Sequence, residues 1–285
     1  MASKRPQRGS QQTAFRYAGD ALRKQWNSLH TGDQEPFPDA SQTSRYAKRH
    51  ARFAEWLETH GGAEAVAKGV QDAWREFHAG EFQHAIELGS KFGAPGTLAA
   101  SKAAAIWVGS MARDAPKALK LLEAAAACGE QAIAMLPDCA NSHYMQALVL
   151  GRYSQRVSIG RALAEGLGGR VRSLLERALE LEPKHADAHI AFGLYHAEIV
   201  AKLGGLAARL TYRATQDAAL EHLQRAHKLA PKSPIAYLEH ANALLLLDAR
   251  GNRTAASQLY AKAAACTPHD AMEQLDVDRA VKGID

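Results

Sequence analysis

Residues 174–196 read LLERALELEPKHADAHIAFGLYH, and this stretch decides the fold. A helical pattern ends at Pro183, and segments of the same kind end at Pro137, Pro231 and Pro268. The positions twelve, eight and five residues before each proline are small or apolar: Ala125, Gly129 and Ala132; Val171, Leu175 and Ala178; Ala219, Leu223 and Ala226; Ala256, Tyr260 and Ala263. Small residues on one helix face let a neighbour approach closely, and the proline ends the helix, so the pattern predicts stacked helical hairpins.

The composition favours an all-α protein, because alanine and leucine dominate and β-branched runs of alternating polarity are absent. At 285 residues the chain can bury a continuous core, and the repeat pattern predicts one elongated α-solenoid. We divide it into a disordered basic tail (1–12), an N-terminal basic helical extension (13–62) and a helical repeat domain (63–285). Asp270 is predicted to cap a final helix that closes the array.

The positive charge is concentrated at the N-terminus. Residues 1–52 contain ten Lys or Arg and four acidic residues, so the rest of this +5 chain is close to neutral. Attraction to nucleic acid or anionic lipid is therefore expected from the N-terminal part and not from the repeats. No apolar run approaches the ~20 residues of a membrane span. Three cysteines without a CxxC pair suit a reducing compartment, so a cytoplasmic protein is expected.

Two apolar stripes at helical spacing mark the extension. The first runs from Phe15 to Leu29 through Leu22 and Trp26, and the second runs from Tyr46 to Leu57. Interleaved arginines leave open a role in stacking on single-stranded RNA or lying on an anionic membrane. An aromatic stripe of this kind more commonly packs against the next helix, and we expect that here.

The quoted stretch resembles the tetratricopeptide repeat (TPR) family. Leu175, Ala178 and Pro183 close one unit, and Phe192 and Gly193 lie where the next unit carries its Leu-Gly pair. The proline spacings exceed the 34-residue family period, with the excess at 152–169 and 202–216. This long-hairpin pattern is similar to the repeat domain of the regulator of microtubule dynamics family over residues 63–285. The resemblance implies an α-solenoid of TPR-like hairpins that binds another protein.

The resemblance also implies which residues line the concave face. In the TPR family, the first helix of each hairpin contacts extended peptides. The partner-binding positions expected here are Asn141, Tyr144, Leu148, Asp187, Ile190, Leu194, Ile235, Leu238 and Asn242. Relatives that clamp a terminal carboxylate use lysine, arginine and asparagine, whereas this set holds two asparagines and no cation. An acidic tail is therefore a poor candidate partner. An apolar helix, self-association or residues 13–57 of the chain itself remain alternative occupants.

Other constellations point to chemistry only weakly. His185, His189 and His196 follow a helical spacing that suits a metal, but packed histidines are expected and no metal or cofactor is predicted. GLGGRVR (166–172) could bind an anion through Arg170 and Arg172 at a helix start, although a flexible turn is favoured. No nucleophile elbow or HExxH motif occurs, so catalysis is not expected.

Two functions remain from the sequence. The first is a non-catalytic scaffold that binds a protein partner through its concave face. The second is a small-molecule or lipid carrier with an apolar cavity, in which Arg170 and Arg172 meet an acidic head group. A metal-dependent enzyme is a more distant third. Homo-oligomerisation and the position of residues 13–62 relative to the repeats stay open.

Overall fold

The structure, a computed structural model, describes residues 15–284; the predicted tail at 1–12 lies outside them. Within the described range the secondary structure is helical and contains no strand, which confirms the all-α prediction. The helices are α1 (Ala21–Leu29), α2 (Ala40–Arg49), α3 (Ala51–Thr59), α4 (Gly62–Ala79), α5 (Phe82–Gly89), α6 (Gly93–Ser110), α7 (Ala115–Met135), α8 (Ala140–Ser154), α9 (Ile159–Ala164), α10 (Leu167–Leu181), α11 (Ala186–Leu203), α12 (Gly205–Tyr212), α13 (Gln216–Leu229), α14 (Pro234–Leu247), α15 (Arg253–Ala264) and α16 (Ala271–Ile284).

Side-chain caps and a glycine turn set several helix ends. The Asp39 carboxylate accepts a hydrogen bond from the Gln42 amide at the start of α2. The Thr215 hydroxyl accepts from the Ala218 amide at the start of α13. Gly80 ends α4 with φ of 86°, a left-handed backbone that glycine adopts without strain. The chain therefore turns sharply between α4 and α5 and forms the first hairpin.

The small residues of the repeat are contact points between helices. A Cβ added to Gly193 in α11 would stand 2.6 Å from Leu223 Cγ in α13, so only glycine fits there. The last small position before each proline is buried, at Ala132, Ala178, Ala226 and Ala263. The residues at the predicted repeat positions thus lie on the helix faces that pack against neighbouring helices.

The extension packs on the repeats but differs from its predicted helices. The first helix begins at Ala21, so Phe15 lies before it. The second stripe is broken at His50, whose backbone is extended (φ −132°, ψ 101°), giving α2 and α3 instead of one helix. His50 Nε2 lies 2.7 Å from Asp138 Oδ1 at the end of the second repeat hairpin, which fixes the break against the array.

Two short helices occupy the extra residues of the long hairpins. We call α9 and α12 the insert helices; α9 lies between α8 and α10, and α12 lies between α11 and α13. The GLGGRVR segment is part of a helix and not a flexible turn. Helix α10 begins at Leu167, because Gly166 takes the left-handed backbone just before it.

The first and last hairpins meet. His78 Nδ1 in α4 lies 2.8 Å from Asp270 Oδ2, and the Tyr17 hydroxyl donates to the His269 carbonyl oxygen. Asp270 also accepts from the Glu273 amide at 2.8 Å, which confirms its predicted capping role. Among residues 15–284, no helix combines the length and apolar character that crossing a membrane requires.

Candidate functional site

Residues 20–39, which we call the inner segment, fill one side of the array. The segment comprises α1 and the loop up to Asp39, and it lies against α4, α6, α8 and α11, whose facing surface we call the inner face. Leu22 and Trp26 are buried there, and the Trp26 ring meets that of Trp74 edge to face at 6.0 Å. The chain's own N-terminal part therefore lies where a partner peptide was expected.

Lys102 binds the inner segment through a buried ion pair. Its ammonium lies 2.6 Å from Asp33 Oδ2 and 3.4 Å from Asp187 Oδ2. Burial opposes ionisation of Asp33, but His30 and Lys102 outweigh it and hold the pKa of this carboxyl well below its usual range. Burial likewise opposes the Lys102 charge, but Asp33 and Asp187 raise the pKa of its ammonium well above its ordinary value. Both partners are therefore charged in the interior.

Asn141 joins the inner segment to α11. Its Nδ2 donates to Glu35 Oε2 at 2.6 Å and to the Asp33 carbonyl oxygen at 2.9 Å. Its Oδ1 accepts from His185 Nε2 at 2.8 Å, because His185 Nδ1 itself accepts from the Ala188 amide. Burial lowers the pKa of His185 to about 4, so this ring is neutral near pH 7.

Glu35 is a buried carboxyl that no cation of residues 15–284 contacts. Burial and the neighbouring Asp33 raise the pKa of Glu35 to about 8, although the hydrogen bond from Asn141 acts in the opposite direction. The group is therefore mostly protonated at neutral pH. The indole Nε1 of Trp26 donates to the Glu35 carbonyl oxygen at 2.7 Å and fixes the backbone at this point.

Gly32 allows the loop to reach the start of α11. The Asp187 amide donates to the Gly32 carbonyl oxygen at 3.0 Å. A Cβ on residue 32 would overlap the Asp187 carboxylate, so only glycine fits at this distance. The loop is thus held by main-chain contact as well as by charge.

A line of buried polar groups continues from Asp33 to the end of the chain. His30 Nδ1 lies 2.8 Å from Asp33 Oδ1, and His30 Nε2 lies 3.3 Å from His78 Nε2. His78 in turn contacts Asp270, next to α16. The same polar network therefore connects the extension, the first hairpin and the last helix.

The nine expected contact positions contain no cation, but Lys102, which lies outside that set, contributes one to the inner face. Lys102 contacts the Asp33 carboxylate and Asn141 contacts the Glu35 carboxyl, so both bind carboxyl groups from within the chain. Lys102 could not be found from the proline register, because its helix precedes Pro137, the first proline of that register. A signal was present, since Lys102 is the single charged residue between Lys91 and Arg113.

The nine expected partner-binding residues separate into three groups. Asn141 and Asp187 contact the inner segment, and Tyr144 is buried beside His185. The residues at the C-terminal end are packed by helices, with Ile190 against Ala226 and Ala236, Ile235 and Leu238 beside α15 and α16, and Asn242 accepting from the Tyr260 hydroxyl at 2.6 Å. Leu148 and Leu194 alone line a cavity.

That cavity, which we call the distal cavity, lies between the long hairpins. Its volume is about 210 Å³, and its wall is mainly apolar, with Leu148, Leu175 and Leu194 among its residues. Ile159 and Leu163 from α9 and Tyr212 from α12 form part of the wall. The distal cavity is therefore a product of the inserted residues, which ordinary hairpins of this kind lack.

The other candidate residues already have partners. Arg170 pairs with Glu130 at 2.6 Å, and Arg172 pairs with Glu176 at 2.6 Å, so neither cation is free for an anion. His189 donates from Nε2 to the Pro183 carbonyl oxygen at 3.2 Å, as His143 and Tyr237 do for Pro137 and Pro231. Over 15–284, no three His, Cys, Asp or Glu side chains are grouped to hold a metal ion.

Hairpins in a common register, with small residues at the helix contacts and a proline after each closing helix, define a TPR-like helical repeat protein. The chain belongs to the family described as regulator of microtubule dynamics protein 1-3, whose sequence model matches residues 97–283. The matched range contains Lys102, Asn141 and the distal cavity. The inner segment precedes it.

A solved structure supports the same fold. A thermophilic TPR protein from Thermus thermophilus superposes with a TM-score of 0.54 and is 18% identical in sequence. The alignment covers 76% of this chain and 100% of that one. At this identity the likeness concerns the fold alone. No protein of known annotation matched the sequence significantly.

Proposed function

We propose that this chain is a non-catalytic protein-interaction scaffold that binds a partner protein at the distal cavity. The observation behind the proposal is that Leu148 and Leu194, two of the expected contact residues, line an apolar cavity that nothing in the described chain fills. The other expected residues are covered by the inner segment or by neighbouring helices. The distal cavity is thus the part of the expected contact surface that remains open, and we assign the partner to it.

The size of the cavity favours a partner's side chains over an enclosed ligand. Pockets that enclose a drug-sized molecule measure about 300–1,000 Å³. The distal cavity, at about 210 Å³, suits one or two large apolar side chains that anchor a partner. Because the family is named for regulators of microtubule dynamics, microtubules and their associated proteins are the first partners to test. The three unpaired cysteines support a cytoplasmic location.

The test is affinity purification with quantitative mass spectrometry from the native cell. The variant L148Q/L194Q places two amides in the cavity wall, and Leu246→Gln changes an exposed leucine of α14 elsewhere as a matched control. Partners retained by wild type and by Leu246→Gln, but lost with L148Q/L194Q, support the proposal once thermal melts show that all three proteins fold. A partner set unchanged by L148Q/L194Q contradicts it.

The second candidate is a carrier of a small apolar ligand, which the same cavity supports. Arg170 and Arg172, the expected contacts of an acidic head group, are paired with glutamates and do not line the cavity. Native mass spectrometry of the purified chain separates the two functions. A copurified ligand of fixed mass that L148Q/L194Q releases favours the carrier, and an empty chain favours the scaffold.

A further inference from the structure

Large apolar side chains are exposed around the mouth of the distal cavity. Across residues 15–284, nine large hydrophobic side chains are exposed, and five of them belong to the insert helices or the end of α11. These are Ile159 (69% exposed), Leu163 (55%), Leu203 (39%), Leu206 (75%) and Leu210 (76%). Such a concentration marks an interaction surface, because scattered single residues would need no explanation.

The exposed side chains share one end of the long hairpins. Ile159, Leu163 and Leu203 line the distal cavity, and so does Tyr212 at the end of α12. Tyr212 lies against Gly168 in the first turn of α10, directly after α9. Both insert helices therefore flank one opening. Each presents a pair of aliphatic residues four positions apart, which places the pair on one helix face.

The positive charge of the repeat domain is concentrated at the same place. Residues 152–170 contain four arginines and one glutamate, and residues 202–216 contain one lysine, two arginines and no acid, which gives +6 for the two inserts together with the adjoining Arg170. Residues 53–285 as a whole carry −1, so the remaining residues of this range carry −7. The prediction that the repeats attract no anionic surface was based on their average charge, which does not describe this separation.

Two of these cations are free to meet an external anion. Arg161 and Lys202 pair with glutamates of the chain. In the described part of the chain, no carboxylate lies within ion-pair distance of Arg209 or Arg213. Each of these two follows an exposed leucine of α12 by three positions, so the cations border the aliphatic face. This arrangement of leucine and arginine is typical of helices that lie in a membrane interface.

We propose that the insert helices α9 and α12 dock on an anionic lipid bilayer, inserting their exposed leucines and isoleucine between the head groups. Arg209 and Arg213 then contact lipid phosphates and carboxylates. A bilayer fits better than a protein partner because the exposed side chains are all aliphatic, whereas protein interfaces are enriched in aromatic residues and methionine. Ile159, Leu163 and Leu203 also line the distal cavity, but Leu206 and Leu210 lie outside its wall, so a test at these two leucines does not depend on the proposed function.

The test is cosedimentation of the full chain with vesicles of phosphatidylcholine alone or with about 30% phosphatidylserine, an anionic content at which basic residues near the surface contribute strongly. Wild type should bind the anionic vesicles. L206S/L210S should lower the ratio of bound to free protein by about tenfold or more, since both leucines then lose their burial in lipid. Leu246→Ser, at an exposed leucine away from the insert helices, should bind as wild type does.

The charge component is tested with R209Q/R213Q. This variant should lose the preference for anionic vesicles and the sensitivity of binding to salt, since both arise from the cations. Binding that L206S/L210S leaves unchanged would overturn the proposal and place the contact elsewhere in the chain. Absence of vesicle binding, together with a wild-type dimer that L206S/L210S converts to monomer in sedimentation velocity, would overturn it in favour of a protein interface.

Discussion

Lys102 shows how one residue can fix a long-range arrangement. A buried ammonium is costly unless it is paired, and its pairing with Asp33 requires the loop of the inner segment to lie on α6. Asp187, the third member, brings the start of α11 to the same point. The buried charge therefore selects one position for the inner segment, beyond what apolar contacts at Leu22 and Trp26 specify.

Lys102→Met should destabilise the fold by about 3–5 kcal/mol, because the buried Asp33 carboxylate loses its ammonium partner and keeps only its contact with His30. Lys91→Met, at an exposed lysine before the same helix, should change stability by less than about 0.5 kcal/mol. Urea unfolding followed by circular dichroism measures both. The double variant D33N/K102M should cost less than the two single changes together, and strict additivity would show that the pair does not interact.

Glu35→Gln should change how stability depends on pH. The pKa of Glu35 is about 8 in the fold against an ordinary 4.5, so the folded state retains a proton that the unfolded state loses. Stability therefore falls as pH rises through this interval, by about 1.4 kcal/mol per unit, and Glu35→Gln removes that contribution. The difference in unfolding free energy between the variant and wild type should grow from pH 6.5 to 8. A difference in unfolding free energy that stays constant with pH would show that the Glu35 carboxyl is exposed to solvent in the fold.

Below pH 6.5, stability should change with pH in the opposite direction and fall as the pH falls. Burial lowers the pKa of both His30 and His185 to about 4, so the unfolded state takes up protons first as pH falls below 6.5. Stability is therefore present above pH 6.5 and is lost towards pH 4. His185→Asn, measured by unfolding at several pH values, should flatten this loss. A variant as acid-sensitive as wild type would contradict the neutral, buried ring.

Among the structural elements, the hairpins could be predicted, whereas the inner segment was one of several expected occupants of the concave face and its individual contacts could not be predicted. Each hairpin repeats a local pattern of small residues and a closing proline, which the sequence displays directly. The loop 30–39 has no periodicity, and its contacts with Lys102 and Asn141 span 69 and 108 positions. The broken helix at His50 escaped prediction for the same reason, since its partner Asp138 lies 88 positions away.

Asp270→Ala should lower the local stability of α16. The change removes the cap of α16 and leaves His78 without its buried partner, at a cost of about 2–4 kcal/mol. Asp217→Ala provides the control, since Asp217 is exposed in the first turn of α13. Hydrogen exchange of α16 should be faster in Asp270→Ala alone. Equal protection in both variants would show that α16 does not depend on this contact.

On the scale of the whole molecule, the extension is part of the same core as the repeats. Leu22, Trp26, Tyr46, Phe53 and Leu57 are buried in the cluster that continues through α4 to α11. The family match covers residues 97–283 and leaves this part of the core outside. We infer that residues 15–284 fold as one unit.

Removal of residues 1–62 should therefore prevent cooperative folding of the remainder. Five large side chains contribute roughly 1.5–3 kcal/mol each when buried, a sum comparable with the whole stability of about 5–15 kcal/mol of a typical protein. The fragment 63–285 should melt broadly and bind a hydrophobic dye, whereas the full chain should melt in one sharp transition. A sharp, unchanged transition for 63–285 would show that the repeats fold alone.

The inner segment fills the inner face and leaves the distal cavity as the open site. Hydrogen–deuterium exchange with mass spectrometry of the full chain at pH 7 tests this arrangement most directly. Peptides covering residues 22–39 and the start of α11, where the Asp187 amide bonds to Gly32, should be as protected as α6 and α8. Exchange of residues 22–39 within seconds, beside a protected repeat core, would contradict the claim.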